Sequence, residues 1–195
     1  MFSFHKPSER EIRDLLARQS ASQFSYPHVG ASERGFRPQG YACDHNRVCL
    51  GSGEQTFDRA VDAFGSWQMF RIGWLQLCWP DAPIRVGTDV AVVVRHYGFW
   101  SVNCSRIVYT VDEGGEVQKY GLGYGTLLEH AESGEERFLI EWNRRDDSVW
   151  YDLFAFSRPR ATLAQLGHPL ARRLQRRFAA ASLRAMADAT NIRYA

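Results

Sequence analysis

Between Thr88 and Phe156 apolar residues recur at every second position, and beyond Pro159 the recurrence changes to every third or fourth; few architectures accommodate that order. A period of two marks strands buried on one face, and several of them joined by short turns make an antiparallel meander. Val90, Val92 and Val94 oppose Asp89 and Arg95 between Thr88 and His96, and Ile107, Tyr109 and Val111 oppose Arg106. Phe138, Ile140 and Trp142 mark the inner face of Arg137 to Trp142, while Val149 to Phe156 is largely apolar on both faces. Turns are signed by Glu113-Gly114-Gly115-Glu116, by Ser133-Gly134 and by Arg144 to Asp147. Tyr120, Leu122, Tyr124 and Thr126 alternate with Gly121, Gly123 and Gly125, so one face of that strand is bare, which predicts a sharp bend or the close approach of a neighbour.

The helical period of the last segment runs through Leu163, Leu166, Leu170, Leu174, Phe178, Ala181 and Ala185, and Pro169 suits the first turn of a long helix. Arg172, Arg173, Arg176, Arg177 and Arg184 ride beside that stripe. Residues 157–195 hold eight arginines against one acid, in a chain whose net charge is only +2. On an amphipathic helix such a run reads first as the solvated face, so no nucleic acid is expected as a partner; docking through this helix on an acidic partner or membrane surface is the alternative.

The amino-terminal half is helical and irregular. Ser8-Glu9-Arg10-Glu11 is a capping box, in which serine and glutamate satisfy backbone N–H groups that a helix start leaves unpaired, and Ile12, Leu15 and Leu16 give that helix a narrow apolar stripe. Residues 20–47, rich in Pro, Gly, Ser, Asn and Asp, read as an irregular arm that is either functional or packed across the domain. Arg47 to Leu50 reads as a short strand, Gly51-Ser52-Gly53 as its break, and Ser52-x-x-Gln55 as the cap of a helix burying Phe57, Val61 and Phe64. The aromatic-dense Ser66 to Trp79 reads as a buried helix broken at Gly73.

At 195 residues this is one compact unit: an arm over 1–46 and a domain over 47–195. No apolar run reaches the roughly 18–20 residues that cross a bilayer, and MFSFHKPSER lacks the features of a secretory leader, so a cytoplasmic protein without a transmembrane segment is expected. Cys43, Cys49, Cys78 and Cys104 form no C-x-x-C pair and read as reduced thiols, with no metal and no cofactor expected. Motifs of serine hydrolases, zinc proteases and nucleotide-binding loops are absent, and Gly121-Leu122-Gly123-Tyr124-Gly125 lacks the spacing of a dinucleotide fingerprint.

A short strand, two helices, an antiparallel meander and one long terminal helix give an α+β chain whose order resembles the START-like helix-grip superfamily, in which a curved antiparallel β-sheet wraps around a long C-terminal helix. That superfamily includes polyketide cyclases, plant pathogenesis-related allergens and lipid-transfer domains. Tyr26-Pro27-His28-Val29-Gly30, Gly40-Tyr41, Leu50-Gly51-Ser52-Gly53, the Trp67 to Trp74 segment, Tyr124-Gly125-Thr126-Leu127, Gly134-Glu135-Glu136-Arg137-Phe138, Val149-Trp150-Tyr151-Asp152 and Ala155-Phe156-Ser157-Arg158-Pro159 resemble, over most of the chain, uncharacterised protein family 0548. Where that pattern leads to expect Pro-Gly after Leu127, this chain has Leu128-Glu129. The resemblance implies a fold with an N-terminal helical arm and carries no activity with it.

The space between sheet and helix in such a fold is commonly a cavity, which makes inward-facing polar residues of the strands the candidates: Thr88, His96, Tyr109, Tyr120, Tyr124 and Thr126. The expectation is a binding protein for a small hydrophobic or amphipathic ligand, lined by Tyr109, Tyr120, Tyr124, Thr126, Trp142 and Trp74. A cyclase-like or hydrolase-like enzyme in the same pocket would use His96 or Asp152 as general acid or base, although an aspartate among apolar neighbours more often pairs with arginine. His130, Glu132, Glu135 and Glu136 cluster around Ser133-Gly134 and read as an exposed turn.

Overall fold

The computed structural model describes residues 1–96, 98–160 and 168–191. Along the chain come β1 (Phe2–Ser3), α1 (Glu9–Gln19), β2 (Ala42–Ser52), α2 (Glu54–Gly65), β3 (Leu75–Cys78), β4 (Asp89–Arg95), β5 (Trp100–Glu113), β6 (Val117–Thr126), β7 (Glu132–Asn143), β8 (Ser148–Pro159) and α3 (His168–Asn191), with 3-10 turns at Ala31–Arg34 and Gln68–Phe70. The sheet is antiparallel in the order β2-β8-β7-β6-β5-β4-β3, and β1 adds to β5. It curls into a half-barrel around α3, the helix-grip arrangement.

Alternation assigns each strand residue to one of two faces. The inner face carries the main core, where Leu122, Phe138, Ile140, Tyr151 and Leu153 meet Phe57 and Phe64 of α2 and Ala179 and Met186 of α3. On the outer face Ile12 and Leu15 of α1 cover Ala91, Val93, Val102 and Cys104, so β4 is buried on both sides. Ser8 closes its predicted capping box with Glu11. The segment before β2 lies across the outer face farther along, with Tyr26 against Phe156 and Phe24 bridging Leu127.

Several elements differ from the sequence reading. Ser66 to Trp79 is a 3-10 turn followed by β3, because Leu75 to Cys78 completes the sheet edge against β4. Its aromatic density reflects packing: Trp67 is buried in the left-handed region at φ 54°, and its indole donates to the Ala82 carbonyl at 3.1 Å. Strand β2 begins at Ala42, and the cap of α2 is Gly53 rather than Ser52, which remains in the ladder opposite Ser148. Ser133-Gly134 is no turn, since β7 already begins at Glu132. On α3 the buried line runs through Ala179, Ser182, Met186 and Thr190 instead of Ala181 and Ala185; Ser182 meets the Tyr151 hydroxyl at 3.0 Å, so small and polar residues let the helix sit close to the sheet. Leu163 and Leu166, and the side chain of Leu170, lie outside the described residues.

Candidate functional site

Between the inner face and α3 lies a cavity of about 680 Å³, which reaches the surface beside the exposed Phe2 and Phe4. Phe70, Trp74, Val92, Leu153, Ala155 and Phe178 supply much of its apolar wall. Polar groups are concentrated where β7 and β8 pass under the beginning of α3. Every second residue of β7 points inward, so continuing back from Phe138 brings Glu136 and Glu132 into the cavity. The Tyr124 hydroxyl donates to Glu136 at 2.8 Å. Gln175 of α3 donates its amide to Glu132 and, at 2.6 Å, to Ser157. Arg172 grips Asp44 of β2 with two nitrogens, at 2.6 and 2.7 Å.

Removal from water disfavours charge here. Burial pushes the Glu136 carboxyl up to about 8, the Tyr124 hydroxyl bond opposes that rise, and the neighbouring Glu132 and Asp44 add to it. Glu132 is raised for the same first reason, against the pull of Ser157, Gln175 and Arg172. Burial pushes His130 down to about 4, helped by the chain's ammonium terminus, and its Nδ1 accepts the Glu132 backbone N–H at 3.0 Å. Near neutral pH this end of the cavity therefore holds a largely protonated Glu136 and a neutral imidazole.

Of the residues expected from the sequence, Tyr124, Thr126, Trp74 and His96 do line the cavity. His96 shares a hydrogen bond with Ser101 at 2.8 Å and stacks on Phe99, and burial lowers its pKa. Tyr120 and Trp142 face inward but pack against Phe64 and Phe57, away from the cavity. Tyr109 is on the opposite face. A register shift in β5 between Ile107 and Tyr109 reverses the alternation, so Ile107 stays in the core and Tyr109 lies over Gly123, bonded to Ser32 at 2.6 Å. A Cβ on Gly123 would fall within the Tyr109 ring, and one on Gly125 would meet the Tyr26 hydroxyl, which is why this face of β6 carries no side chains.

Asp152 also faces outward, buried in a network with Arg137 at 2.7 Å, His45 at 2.6 Å and Arg47 at 3.1 Å. The arginine pairing expected of it is present, through Arg137 and Arg47; Arg106 holds Asp89 and the carbonyls of Gln19, Ser20 and Ser22. Nor is the cluster around Ser133-Gly134 an exposed turn. Glu135 is buried on the outer face, accepting from Tyr26, from the Gly30 and Ser32 amides and from the Ser32 hydroxyl, while Glu132 and Glu136 project inward. Extending the period of Phe138 three steps toward the amino terminus, through Glu136 and Gly134 to Glu132, finds both inward carboxyls; reading Ser133-Gly134 as a turn stopped that extension. Among the described residues no group of three or more His, Cys, Asp or Glu side chains is placed to hold a metal ion.

A profile described as "Domain of unknown function (DUF1990)" matches residues 25–185. The chain belongs to that family. A UPF0548 protein of Dictyostelium discoideum is 33% identical over 216 aligned residues, covering 100% of both chains. A UPF0548 protein of Deinococcus radiodurans is 36% identical over 92% of this chain and 93% of its own length. Among solved structures, a hypothetical protein from Helicobacter pylori superposes with a TM-score of 0.52 at 10% identity, over 87% of this chain and 96% of that one, a likeness of fold alone. The DUF1990 match spans the cavity strands from β2 to β8 and α3 as far as Ala185, so it includes Asp44, Tyr124, Glu132, Glu136 and Gln175. Among the described residues no helix is long and apolar enough to cross a membrane.

Proposed function

We propose that this protein binds a small amphipathic ligand in the cavity between its sheet and α3. The observation that carries this reading is the shape of the space: about 680 Å³ with mainly apolar walls and a few polar groups gathered at one end. Phe70, Trp74, Leu153 and Phe178 would cover the apolar body, each Å² removed from water contributing roughly 25 cal/mol. Tyr124, Glu136 and Gln175 would orient the polar end. Tyr109, expected as a ligand contact, and Asp152, expected as an acid or base of an enzyme, both face outward and take no part in this reading; Glu136 and Glu132 are the carboxyls that project into the cavity from β7.

Titration with the neutral fluorophore Nile red, paired with native mass spectrometry of gently purified protein, tests the reading. Wild type should bind the dye in one saturable step. Ala155 points into the cavity from β8, so an Ala155→Phe variant should stay folded, by circular dichroism, and lose that binding. A wild type that binds no dye and carries no extra mass, or a folded Ala155→Phe protein that binds as wild type does, would overturn it.

A further inference from the structure

We infer that the cavity selects a cation, an amine joined to an apolar or aromatic body, and that Glu136 together with Glu132 receives its ammonium group. This rests on the ligand-binding reading above and adds the charge of the ligand.

The charges around the polar end are unbalanced in one direction. Asp44 enters from β2, Glu132 and Glu136 from β7, and Arg172 from α3; Tyr124 of β6 and Tyr151 of β8 add neutral hydroxyls. Arg172 is committed to Asp44 through both nitrogens. What remains is two carboxyls with neutral donors: Glu132 has the Gln175 amide, and Glu136, among the described residues, has the Tyr124 hydroxyl on one oxygen only. His130 and His96, both held neutral by burial, supply no positive charge. Beside Glu136 the Tyr124 ring is 5.2 Å from Phe138 and 6.2 Å from Phe70, which packs on Phe178 at 5.6 Å. Aromatic faces attract a desolvated cation, and a carboxylate opposite them completes its pairing. At this end an anionic headgroup would meet two acids, and the base facing them, Arg172, is committed to Asp44, while Arg177 of α3 lies over the Trp74 ring.

The arrangement has a thermodynamic signature. With no cation present Glu136 holds its proton up to about pH 8; an ammonium group pairs with the ionised form, so binding releases that proton. Below pH 8 affinity for an amine therefore rises with pH. Between pH 6.5 and 7.5 the ionised fraction of such a group grows about eightfold, and the affinity with it.

Three dansyl probes sharing one aromatic body decide the matter: dansylcadaverine, with a terminal amine; N-pentyl dansylamide, neutral; and dansylaminohexanoate, with a carboxylate. Fluorescence titration of the full chain should rank the amine first at pH 7.5. Its dissociation constant should fall about eightfold from pH 6.5 to 7.5, while that of the neutral probe stays level. Glu136→Gln should erase both the preference and the pH dependence and still bind the neutral probe. Tyr124→Phe, which removes the donor that holds Glu136 down, should move the midpoint of the amine's pH dependence upward, and tests the proposal should Glu136→Gln not fold. Neutral-probe binding with no preference for the amine, or an amine affinity flat in pH, would overturn this inference and leave the ligand-binding reading standing. Failure of all three probes would overturn this inference, and where Nile red also fails to bind and no extra mass is carried, the ligand-binding reading with it.

Discussion

Replacing Glu136 by glutamine should stabilise the protein in a strongly pH-dependent way. Folding carries the carboxyl from its ordinary value of 4.5 to about 8, so the folded form is favoured by this group while it is protonated in both states, below about 4.5. As pH rises the unfolded chain ionises first, and stability drains away until the folded group ionises near 8. Each pH unit in that window is worth about 1.4 kcal/mol, so between pH 5 and 7 wild type should lose up to about 3 kcal/mol that a glutamine, with nothing to ionise, keeps. Glutamine also retains an oxygen for the Tyr124 hydroxyl. In a chain of this length that difference is roughly 6–10 °C in melting temperature. Urea unfolding of both proteins at pH 5, 7 and 8.5 reads it directly, and the difference curve cancels His130, whose lowered pKa acts in the opposite direction in both proteins. Two stability curves that run parallel from pH 5 to 8.5 would show that Glu136 is not held protonated, and the reasoning about the cavity's electrostatics would fall with it.

Asp152→Asn should cost about 3–5 kcal/mol, because it leaves the largely buried Arg137 without its carboxylate, and a folded fraction should bind Nile red as wild type does; a loss under about 1 kcal/mol by urea denaturation would contradict the outward network. Gly123→Ala should destabilise by about 1–3 kcal/mol through its clash with the Tyr109 ring, and combining it with Tyr109→Ala in a double-mutant cycle should cost less than the two singles added; strict additivity would refute that contact.

How far the sequence could be read depended on how local the deciding physics was. The capping box of α1 needs only Ser8 and Glu11, one helical turn apart, and forms as expected. The hairpin at Glu113 to Glu116 and the turn at Arg144 to Asp147 likewise join the strands predicted on either side. At Tyr109 the same period misleads, because one bulge in β5 reverses the face of the residues beyond it, and nothing in Ile107 to Val111 marks the bulge. For Ser66 to Trp79 the aromatic content was correct as a sign of burial, but the partner that makes Leu75 to Cys78 a strand is β4, more than ten residues away.

Alternating and helical periods, set by backbone geometry, determined by themselves an antiparallel meander followed by a long helix, an order that resembles the helix-grip class. Glu136 stands two residues before Phe138 on the same alternation, but the sequence reading assigned it to an exposed turn. Only the folded chain decided what that position means. A carboxyl becomes a proton-holding group at about pH 8 because α3 and an apolar wall from the 3-10 turn bury it, and an acid four residues back along β7 and another of β2 add to the rise against the pull of a tyrosine of β6. Those neighbours come from distant parts of the chain, and desolvation and pairing depend on distances in space, which no spacing along the sequence records.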